Sequence, residues 1–324
     1  MRILSGVQPS GALHLGNYFG ALKQHLELQH EPGAEPLYFI ANLHTLTTVQ
    51  DAALLRKLTQ DVALDYLGMG LDPAKACLFR QSDIPEVTEL TWILATVTGK
   101  GLLDRATSYK DKVEKGLTPS MGLYCYPILM AADILIYRSQ IVPVGRDQVQ
   151  HIEMTQDMAG YFNNTYRPVF VRPEPRLNET PVVPGIDGQK MSKSYGNTIE
   201  LFGDAKEIKK KIMAIKTDST PVSEPKNPET CNVFALLRLL ATPEETAEWE
   251  RRYRAPGMGY GDAKKRLAEL YEQIFGVRRE VRARWAARPG DVEDVLCNGA
   301  ARARALAVQV MEDVRDACGI VRGK

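Results

Sequence analysis

The sequence predicts an α/β protein: a Rossmann-like parallel sheet in residues 1–200, followed by an all-α second part. In the first part, short apolar runs such as residues 37–40 alternate with segments of helical spacing. Beyond residue 201 the strand signals fade, and segments rich in Leu, Ala, Glu and Arg take over. The 324 residues suffice for one large domain or two moderate ones with buried cores.

The first strand and the turn after it begin the chain. An apolar run with Ile3 and Leu4 leads into a glycine-containing segment and then a helical pattern. The segment is Gly6-Val7-Gln8-Pro9-Ser10-Gly11-Ala12-Leu13-His14-Leu15-Gly16-Asn17-Tyr18. A helix start offers unpaired N–H groups and the positive end of a dipole, which suit a phosphate chain. The glycines alone fit an ordinary βα turn equally well, and their spacing is neither a Walker loop nor Gly-x-Gly-x-x-Gly.

The remaining elements follow in alternation. Strands are predicted at 37–40, 77–79 and 169–171, and helices at 52–67, 87–97, 123–137 and 147–166. This alternation predicts right-handed βαβ units, whose ligands bind beyond the carboxyl ends of the strands. The turn at 8–17 lies at such an end. In the second part, helices are predicted at 205–216, 233–240, 243–253, 260–285 and 291–318.

Composition narrows the class of protein. Hydrophobic content of 44% and charged content of 25% are typical of soluble globular proteins. No apolar run approaches ~20 residues, so no membrane span is predicted. The N-terminus lacks the features of a signal peptide, and the five cysteines contain no Cys-x-x-Cys pair. We therefore expect a cytoplasmic protein with reduced thiols and no metal site of its own.

Charge alone does not predict a nucleic-acid partner, because the formal net charge is only +1. Basic residues nevertheless cluster in the second part. The clusters are Lys209-Lys210-Lys211, Arg251-Arg252 with Arg254, and Arg278-Arg279 with Arg282 and Arg284. RNA phosphates would need such patches, although solvated helix faces produce the same pattern.

A second motif joins the first. Lys190-Met191-Ser192-Lys193-Ser194 follows a loop-like run at 181–189, and its lysines and hydroxyls suit a triphosphate. Alone, such a pentapeptide is usually solvated surface. With the turn at 9–17, the chain resembles class I aminoacyl-tRNA synthetases, which carry a His-x-Gly-His-type turn and a Lys-Met-Ser-Lys-Ser loop. Asn17 replaces the second histidine, a variant of the tryptophan and tyrosine branch, and the resemblance covers nearly the whole chain.

One carboxylate interrupts an almost entirely apolar predicted helix at 123–137. Since an unpaired buried charge is costly, Asp133 needs a partner. An ion pair with Arg138 or Arg146 would supply one. Alternatively, Asp133 accepts a hydrogen bond from a ligand, such as the donor-only indole N–H of tryptophan. This helix and the run 141–153 resemble the tryptophanyl members of the family.

The resemblance implies an amino-acid site. Asp133 would accept the indole N–H, and Leu4 stands where several relatives have a phenylalanine, which would change the shape of the pocket. The predicted tryptophan-binding residues are Asp133, Met130, Val142 and Val144 around the indole, Gln8, Tyr126 and Gln148 at the ammonium and carboxylate ends, and His44. His44 fits a packed core histidine as well.

The resemblance also implies ATP as the second substrate, with Mg²⁺ held mainly by its phosphates. Lys110, Lys190 and Lys193 would stabilise the departing pyrophosphate. The predicted ATP contacts are Gln8, Pro9, Ser10, His14, Gly16, Asn17, Gly145, Arg146, Asp147, Val182, Lys190, Met191, Ser192, Lys193 and Ser194.

The domain plan implied by the resemblance has three parts. Residues 1–200 would form the catalytic domain, with a dimerisation segment inserted at roughly 80–140 and the mobile loop at 190–194. Residues 201–290 would form a helical anticodon-binding domain, and 291–324 a helix packing back on the first domain. The expected protein is a homodimer that joins L-tryptophan to tRNA(Trp) through tryptophanyl-adenylate.

Two alternatives are less consistent with the residues. A tyrosine-specific relative would set a carboxylate against a phenolic O–H, but the Val-Pro-Val-Gly run and the Ala-Ala-Asp helix argue against it. A non-charging regulatory homologue would not need both motifs together with a complete helical part.

Overall fold

The predicted parallel sheet is confirmed in a computed structural model that describes residues 1–106, 120–177 and 182–320. Its five strands are β1 (Arg2–Val7), β2 (Glu35–Ile40), β3 (Cys77–Arg80), β4 (Ile141–Val144) and β5 (Glu174–Leu177). They are all parallel and lie in the order β3-β2-β1-β4-β5. The direction of strand succession reverses between β1 and β4. In a sheet of this kind, that switch point creates a crevice beyond the carboxyl ends of the two strands.

Helices cover the sheet and make up the second part of the chain. Several begin at a side chain that accepts hydrogen bonds from the first N–H groups, as Asp51, Asp204 and Thr242 do. The helices of the first part are Leu15–Asn17 and Lys23–Leu28, joined by the π turn Tyr18–Leu22, then Asn42–Thr45, Ala52–Met69, Glu86–Val97, Lys100–Leu103, Met121–Leu135 and Val149–Thr165. Those of the second part are Ala205–Met213, Asn232–Leu240, Pro243–Arg254, Tyr260–Tyr271, Val277–Ala286 and Pro289–Cys318. The predicted helix at 260–285 thus contains an internal π turn, Glu272–Gly276.

The predicted strand at 169–171 is wrong, and the last strand is β5 instead. Val169 and Phe170 are buried, which explains their apolar character, but their backbone is bonded to a side chain. Asn163 Oδ1 accepts from Val169 N and Phe170 N at 2.9 and 3.0 Å, and its Nδ2 donates to Phe170 O at 2.8 Å. β5 is polar because it forms the edge of the sheet, where Pro175 is tolerated.

Side chains alternate between the two faces of the sheet, each of which has its own core. Tyr38 and Ile40 pack with the helix Ala52–Met69 and much of the second part, whereas Leu37 and Phe39 pack with the helices on the opposite face. The helix Pro289–Cys318 crosses the edge of the sheet, and at Gly299 it lies directly against β3. A Cβ there would stand 2.1 Å from Leu78 O. None of the described helices is long and apolar enough to span a bilayer.

Candidate active site

Three adjoining cavities open at the switch point between β1 and β4. Their volumes are about 240, 460 and 310 Å³, and all three are lined in part by Gly6, near the end of β1. A Cβ on Gly6 would stand 2.4 Å from Phe39 Cζ, so a side chain at this position would have to displace the Phe39 ring. The first cavity is the most apolar and lies between β1, β4 and the helix Met121–Leu135. We name these the indole-sized cavity, the middle cavity and the turn cavity, in that order.

The indole-sized cavity brings most of the predicted tryptophan residues together. Besides Leu4 and Phe39, its lining includes the predicted residues Met130, Asp133, Val142, Val144 and Gln148. Gly145, predicted to contact ATP, also lies here. Among the described residues that line this cavity, Asp133 is the single charged one. The cavity therefore combines apolar walls with one fixed acceptor, as a specific small-molecule site requires.

Asp133 is 2% exposed, and its partners are not arginines. Gln81 Nε2 donates to both carboxylate oxygens at 2.9 and 2.8 Å, and His44 Nε2 lies 3.0 Å from Oδ2. The ion pair considered from the sequence is wrong, because Arg138 pairs with Asp313 and Arg146 is exposed. Burial raises the pKa of Asp133, while the hydrogen bonds from His44 and Gln81 oppose that rise.

Gln81 is a site residue that the sequence analysis missed. It is 1% exposed and follows β3 directly. Its Oε1 accepts from Leu43 N at 3.0 Å, while its Nε2 reaches Asp133, so the amide spans from one segment to the other. The available signal was its position, since a polar residue immediately after a buried parallel strand lies at the ligand-binding edge.

The middle cavity is more polar and continues from the first. Its lining includes Gln8, Ser10, His44, Tyr126 and Gln148, with Met130 shared between the two cavities. The Tyr126 hydroxyl lies 2.6 Å from His151 Nε2, and this contact fixes the orientation of the Tyr126 ring. The three residues predicted to hold the polar ends of the amino acid, and the predicted pocket histidine His44, thus lie next to the indole-sized cavity.

The turn cavity is formed by the glycine-containing segment after β1. It is lined by Gln8, Ser10, Gly16 and Asn17 together with Lys193 from the second motif. Asn17 Oδ1 accepts from His14 N at 3.2 Å, which fixes the start of the helical segment at Leu15. Burial, assisted by the charge of Lys193, lowers the pKa of His14 to about 4. His14 is therefore neutral at neutral pH.

Lys193 contacts the turn directly, although 182 residues separate it from Gly11. Its Nζ donates to Gly11 O at 2.9 Å and lies 3.4 Å from Ser10 Oγ. Gly11 has φ of +123°, a backbone conformation that favours glycine. Burial lowers the pKa of Lys193, and the charge of Asp65 opposes this shift. The two sequence motifs therefore meet at one place.

Asn197 holds the second motif in shape and was also missed. Its Oδ1 accepts from Ser192 N at 2.8 Å, and its Nδ2 donates to Asp187 Oδ1 and Lys190 O at 2.8 and 3.2 Å. The residue is 2% exposed, and a Cβ on Gly185 would stand 2.3 Å from its Nδ2. The only sequence signal was a polar residue three positions after the motif.

Other predicted nucleotide residues are not brought to these cavities. Lys190 and Ser194 are exposed, Val182 is 68% exposed, and Pro9 and Met191 are buried. Ser192 Oγ lies 2.8 Å from Ser194 Oγ. Arg146 and Asp147 form a 3₁₀ turn after β4, where only the backbone of Asp147 is described. Lys110 lies outside the described residues. Within the described ranges, no group of three His, Cys, Asp or Glu could hold a metal ion.

Known proteins resemble this chain over nearly its whole length. A family model described as tRNA synthetases class I (W and Y) matches residues 1–276. The tryptophan–tRNA ligase of Rhodopirellula baltica is 52% identical over 321 residues, which cover 99% of this chain and 100% of that protein. The crystal structure of tryptophanyl-tRNA synthetase from Campylobacter jejuni complexed with ADP and tryptophan superposes with a TM-score of 0.92. The two sequences are 45% identical, and the match covers 98% of this chain and 100% of that one.

A more distant structure shares the fold alone. Tyrosyl-tRNA synthetase from Archaeoglobus fulgidus, complexed with L-tyrosine, is 19% identical with a TM-score of 0.68, over 87% of this chain and 90% of that one. The family model and the full-length relatives carry the conclusion. The chain belongs to the class I tRNA synthetases of the tryptophan and tyrosine group.

Proposed function

We propose that this protein activates L-tryptophan with ATP, releases pyrophosphate, and transfers the tryptophanyl group to the 3′ end of tRNA(Trp). One observation carries the proposal. The apolar cavity that contains the buried carboxylate of Asp133 and the turn cavity that Lys193 lines share Gly6, so the two cavities adjoin. An amino acid with a donor on an apolar side chain and a nucleoside triphosphate would thus lie side by side.

Selection of tryptophan rests on Asp133. Two bonds from Gln81 and one from His44 occupy three of the roughly four acceptor positions of a carboxylate, leaving about one for a ligand. The indole N–H is a donor without acceptor capacity and matches that position. Phenylalanine would leave the carboxylate short of a partner in a desolvated place, which is how polar sites reject apolar analogues.

The chemistry needs no general base from the protein. The carboxylate of tryptophan is already ionised at neutral pH and attacks the α-phosphorus of ATP in line. A bond forms between this oxygen and phosphorus while the bond from the α-phosphorus to the bridging oxygen of pyrophosphate breaks, and the electron pair leaves with pyrophosphate. Rate enhancement would then come from positioning and from stabilising charge on the leaving group.

Lys193 is the best-placed residue for that charge. Its ammonium already lies beside Ser10 and the carbonyl of Gly11, in the turn that precedes the helical segment starting at Leu15. Lys190, and Lys110 by resemblance alone, would add charge once the loop has closed on the phosphates. Mg²⁺ would arrive with ATP and neutralise phosphate oxygens, which remain its principal ligands.

The helical second part would carry the anticodon contacts, within a cytoplasmic homodimer. The basic patches support this unevenly. Arg279 is bonded to Glu272 and Arg282 to Asp61 and Asp65, so their charges are largely neutralised. Lys211 and Arg254 are likewise paired, with Glu200 and Glu250. Lys209, Arg251 and Arg284 are exposed, and none of them forms an ion pair with another described residue. RNA phosphates would therefore meet these three side chains first.

Amino-acid-dependent ATP–pyrophosphate exchange tests the proposal, with tryptophan, tyrosine and phenylalanine compared under one set of conditions. Exchange with tryptophan alone, followed by charging of tRNA(Trp), is expected. Exchange with tyrosine instead would overturn the assignment of Asp133 but keep the adenylation chemistry. Absence of exchange with folded protein and Mg²⁺ would leave a homologue that does not charge tRNA.

A further inference from the structure

Three side chains beside the indole-sized cavity form a closed set of contacts. Gln81 Nε2 donates to Asp133 Oδ1 and Oδ2 at 2.9 and 2.8 Å, and His44 Nε2 lies 3.0 Å from Oδ2. At its other end, Gln81 Oε1 accepts from Leu43 N at 3.0 Å and from His44 N at 3.4 Å. The amide of Gln81 therefore contacts both the carboxylate and the backbone of the histidine that shares this carboxylate.

These contacts distinguish the two oxygens of the Asp133 carboxylate. An ionised carboxylate only accepts hydrogen bonds, with about two positions on each oxygen, so the His44 contact requires an N–H on Nε2. Oδ2 accepts from both Gln81 and His44, which fills its positions. Among the described residues, Oδ1 accepts from Gln81 alone. The remaining acceptor position is therefore on Oδ1, and a ligand N–H in the cavity would bond to this oxygen.

The residues on either side of Gln81 are themselves anchored. Before it, the Arg80 guanidinium donates to Glu293 Oε2 and Oε1 at 2.9 and 2.6 Å. After it, Ser82 N donates to Asn42 Oδ1 at 3.0 Å, and Asn42 Nδ2 donates to Ser82 Oγ at 2.8 Å. A side chain can orient another one only if its own position is fixed. Buried directly after β3 and held at both neighbours, Gln81 meets this condition.

We propose that Gln81 is a positioning residue that determines the selection of tryptophan, because it turns the Asp133 carboxylate so that Oδ1 presents its free acceptor position to the cavity. This proposal rests on the proposed function, in which Asp133 accepts the indole N–H. Gln81 is neutral, so it fills acceptor positions without cancelling the negative charge, and the bond from the ligand stays charge-assisted. Without Gln81, the carboxylate would keep the His44 contact alone and would lose its fixed direction.

The test compares Gln81→Met and Gln81→Glu with Gln29→Met as a matched control. Gln29 is a second buried amide, whose Nε2 donates to Leu26 O at 2.9 Å and whose Oε1 accepts from Asp72 N at 2.8 Å. It does not line any of the three cavities of the site. Gln81→Glu preserves the size of the side chain and its backbone acceptor and removes the donor to Asp133, so it keeps the test decisive if Gln81→Met does not fold.

Each variant is tested with tryptophan and with an analogue in which sulfur replaces the indole N–H. Binding is measured by calorimetry, and KM and kcat by ATP–pyrophosphate exchange. Both Gln81 variants should raise Kd and KM for tryptophan by roughly 10-fold, as for loss of a hydrogen bond to a charged group, and change those for the analogue by less than about threefold. The kcat at saturating tryptophan should stay within about threefold, because the indole contact is equal in the ground and transition states. Gln29→Met should lower the melting temperature without changing the preference for tryptophan.

A double variant completes the test. In the Asp133→Asn background, Gln81→Met should weaken tryptophan binding by no more than about twofold further, because Gln81 acts through Asp133. Additive effects would overturn the proposal, as would equal losses for tryptophan and the analogue, which would make Gln81 purely structural. A wild-type preference for tryptophan that persisted in both Gln81 variants would overturn this proposal alone. Absence of that preference in wild-type protein would overturn the role of Asp133 as well, and calorimetry shows this even without exchange activity.

Discussion

The sharpest prediction concerns the carboxylate in the indole-sized cavity. Asp133→Asn keeps the shape but replaces one acceptor oxygen with a donor NH₂. Gln81 and His44 already present N–H groups to this side chain, so the amide oxygen must turn toward one of them. The position left for the indole N–H then loses its charged acceptor. Hydrogen bonds to charged groups contribute about 1.5–3 kcal/mol, so kcat/KM for tryptophan should fall roughly 10- to 150-fold.

The assay is ATP–pyrophosphate exchange with tryptophan and with an analogue in which sulfur replaces the indole N–H. Wild-type protein should prefer tryptophan by the same factor, while Asp133→Asn should accept both within about threefold. Asp313→Asn provides the matched control, since it makes the same chemical change at the partner of Arg138. It should leave both substrates unaffected. If Asp133→Asn lowered activity with tryptophan and analogue equally, Asp133 would not contact the indole nitrogen.

Three further predictions follow from other parts of the molecule. Lys193→Ala should lower kcat for exchange by roughly 100-fold or more, while calorimetric tryptophan binding stays within about twofold; equal losses would remove Lys193 from the leaving-group role. The pKa of His14 is lowered to about 4, below its unfolded value, so NMR should find it neutral until pH approaches 4. The stability that His14 contributes at neutral pH should then be lost as pH falls from about 6.5 through that value, and titration near 6.5 would refute this. Gly299→Ala should destabilise the protein by about 2 kcal/mol or more in denaturant unfolding, because its methyl meets Leu78 O, whereas Gly290→Ala on the same helix has open space and should be neutral or slightly stabilising.

The sequence predicted the parts of the fold whose signals are local. β1, β2 and β3 are apolar runs, and the later helices show clear periodicity. β5 was not predicted, because Glu174-Pro175-Arg176-Leu177 lies at the edge of the sheet, where a strand does not have to be apolar. Val169 and Phe170 imitated a strand because they are buried, although Asn163 rather than a neighbouring strand satisfies their backbone. Burial and strand pairing are separate properties, and composition reports only the first.

The site followed the same division. Asp133 could be singled out because a carboxylate within an apolar helix is a local anomaly. Gln81, which is 52 residues away, produces no local anomaly. An uncharged polar residue after a strand is compatible with a solvated surface. Only the folded chain identifies Gln81 as a partner of Asp133.

The loop that carries Lys193 is attached to both parts of the molecule. Lys216 N donates to Ile186 O at 2.7 Å, and a Cβ on Gly188 would stand 2.6 Å from Asn232 Nδ2. The residues just before the loop are therefore packed against the helical part. Lys193, within the loop, instead donates from Nζ to Gly11 O in the sheet domain. In the proposed function, the triphosphate of ATP would take the place of Gly11 O as the partner of Lys193, so that an anionic acceptor replaces a neutral one.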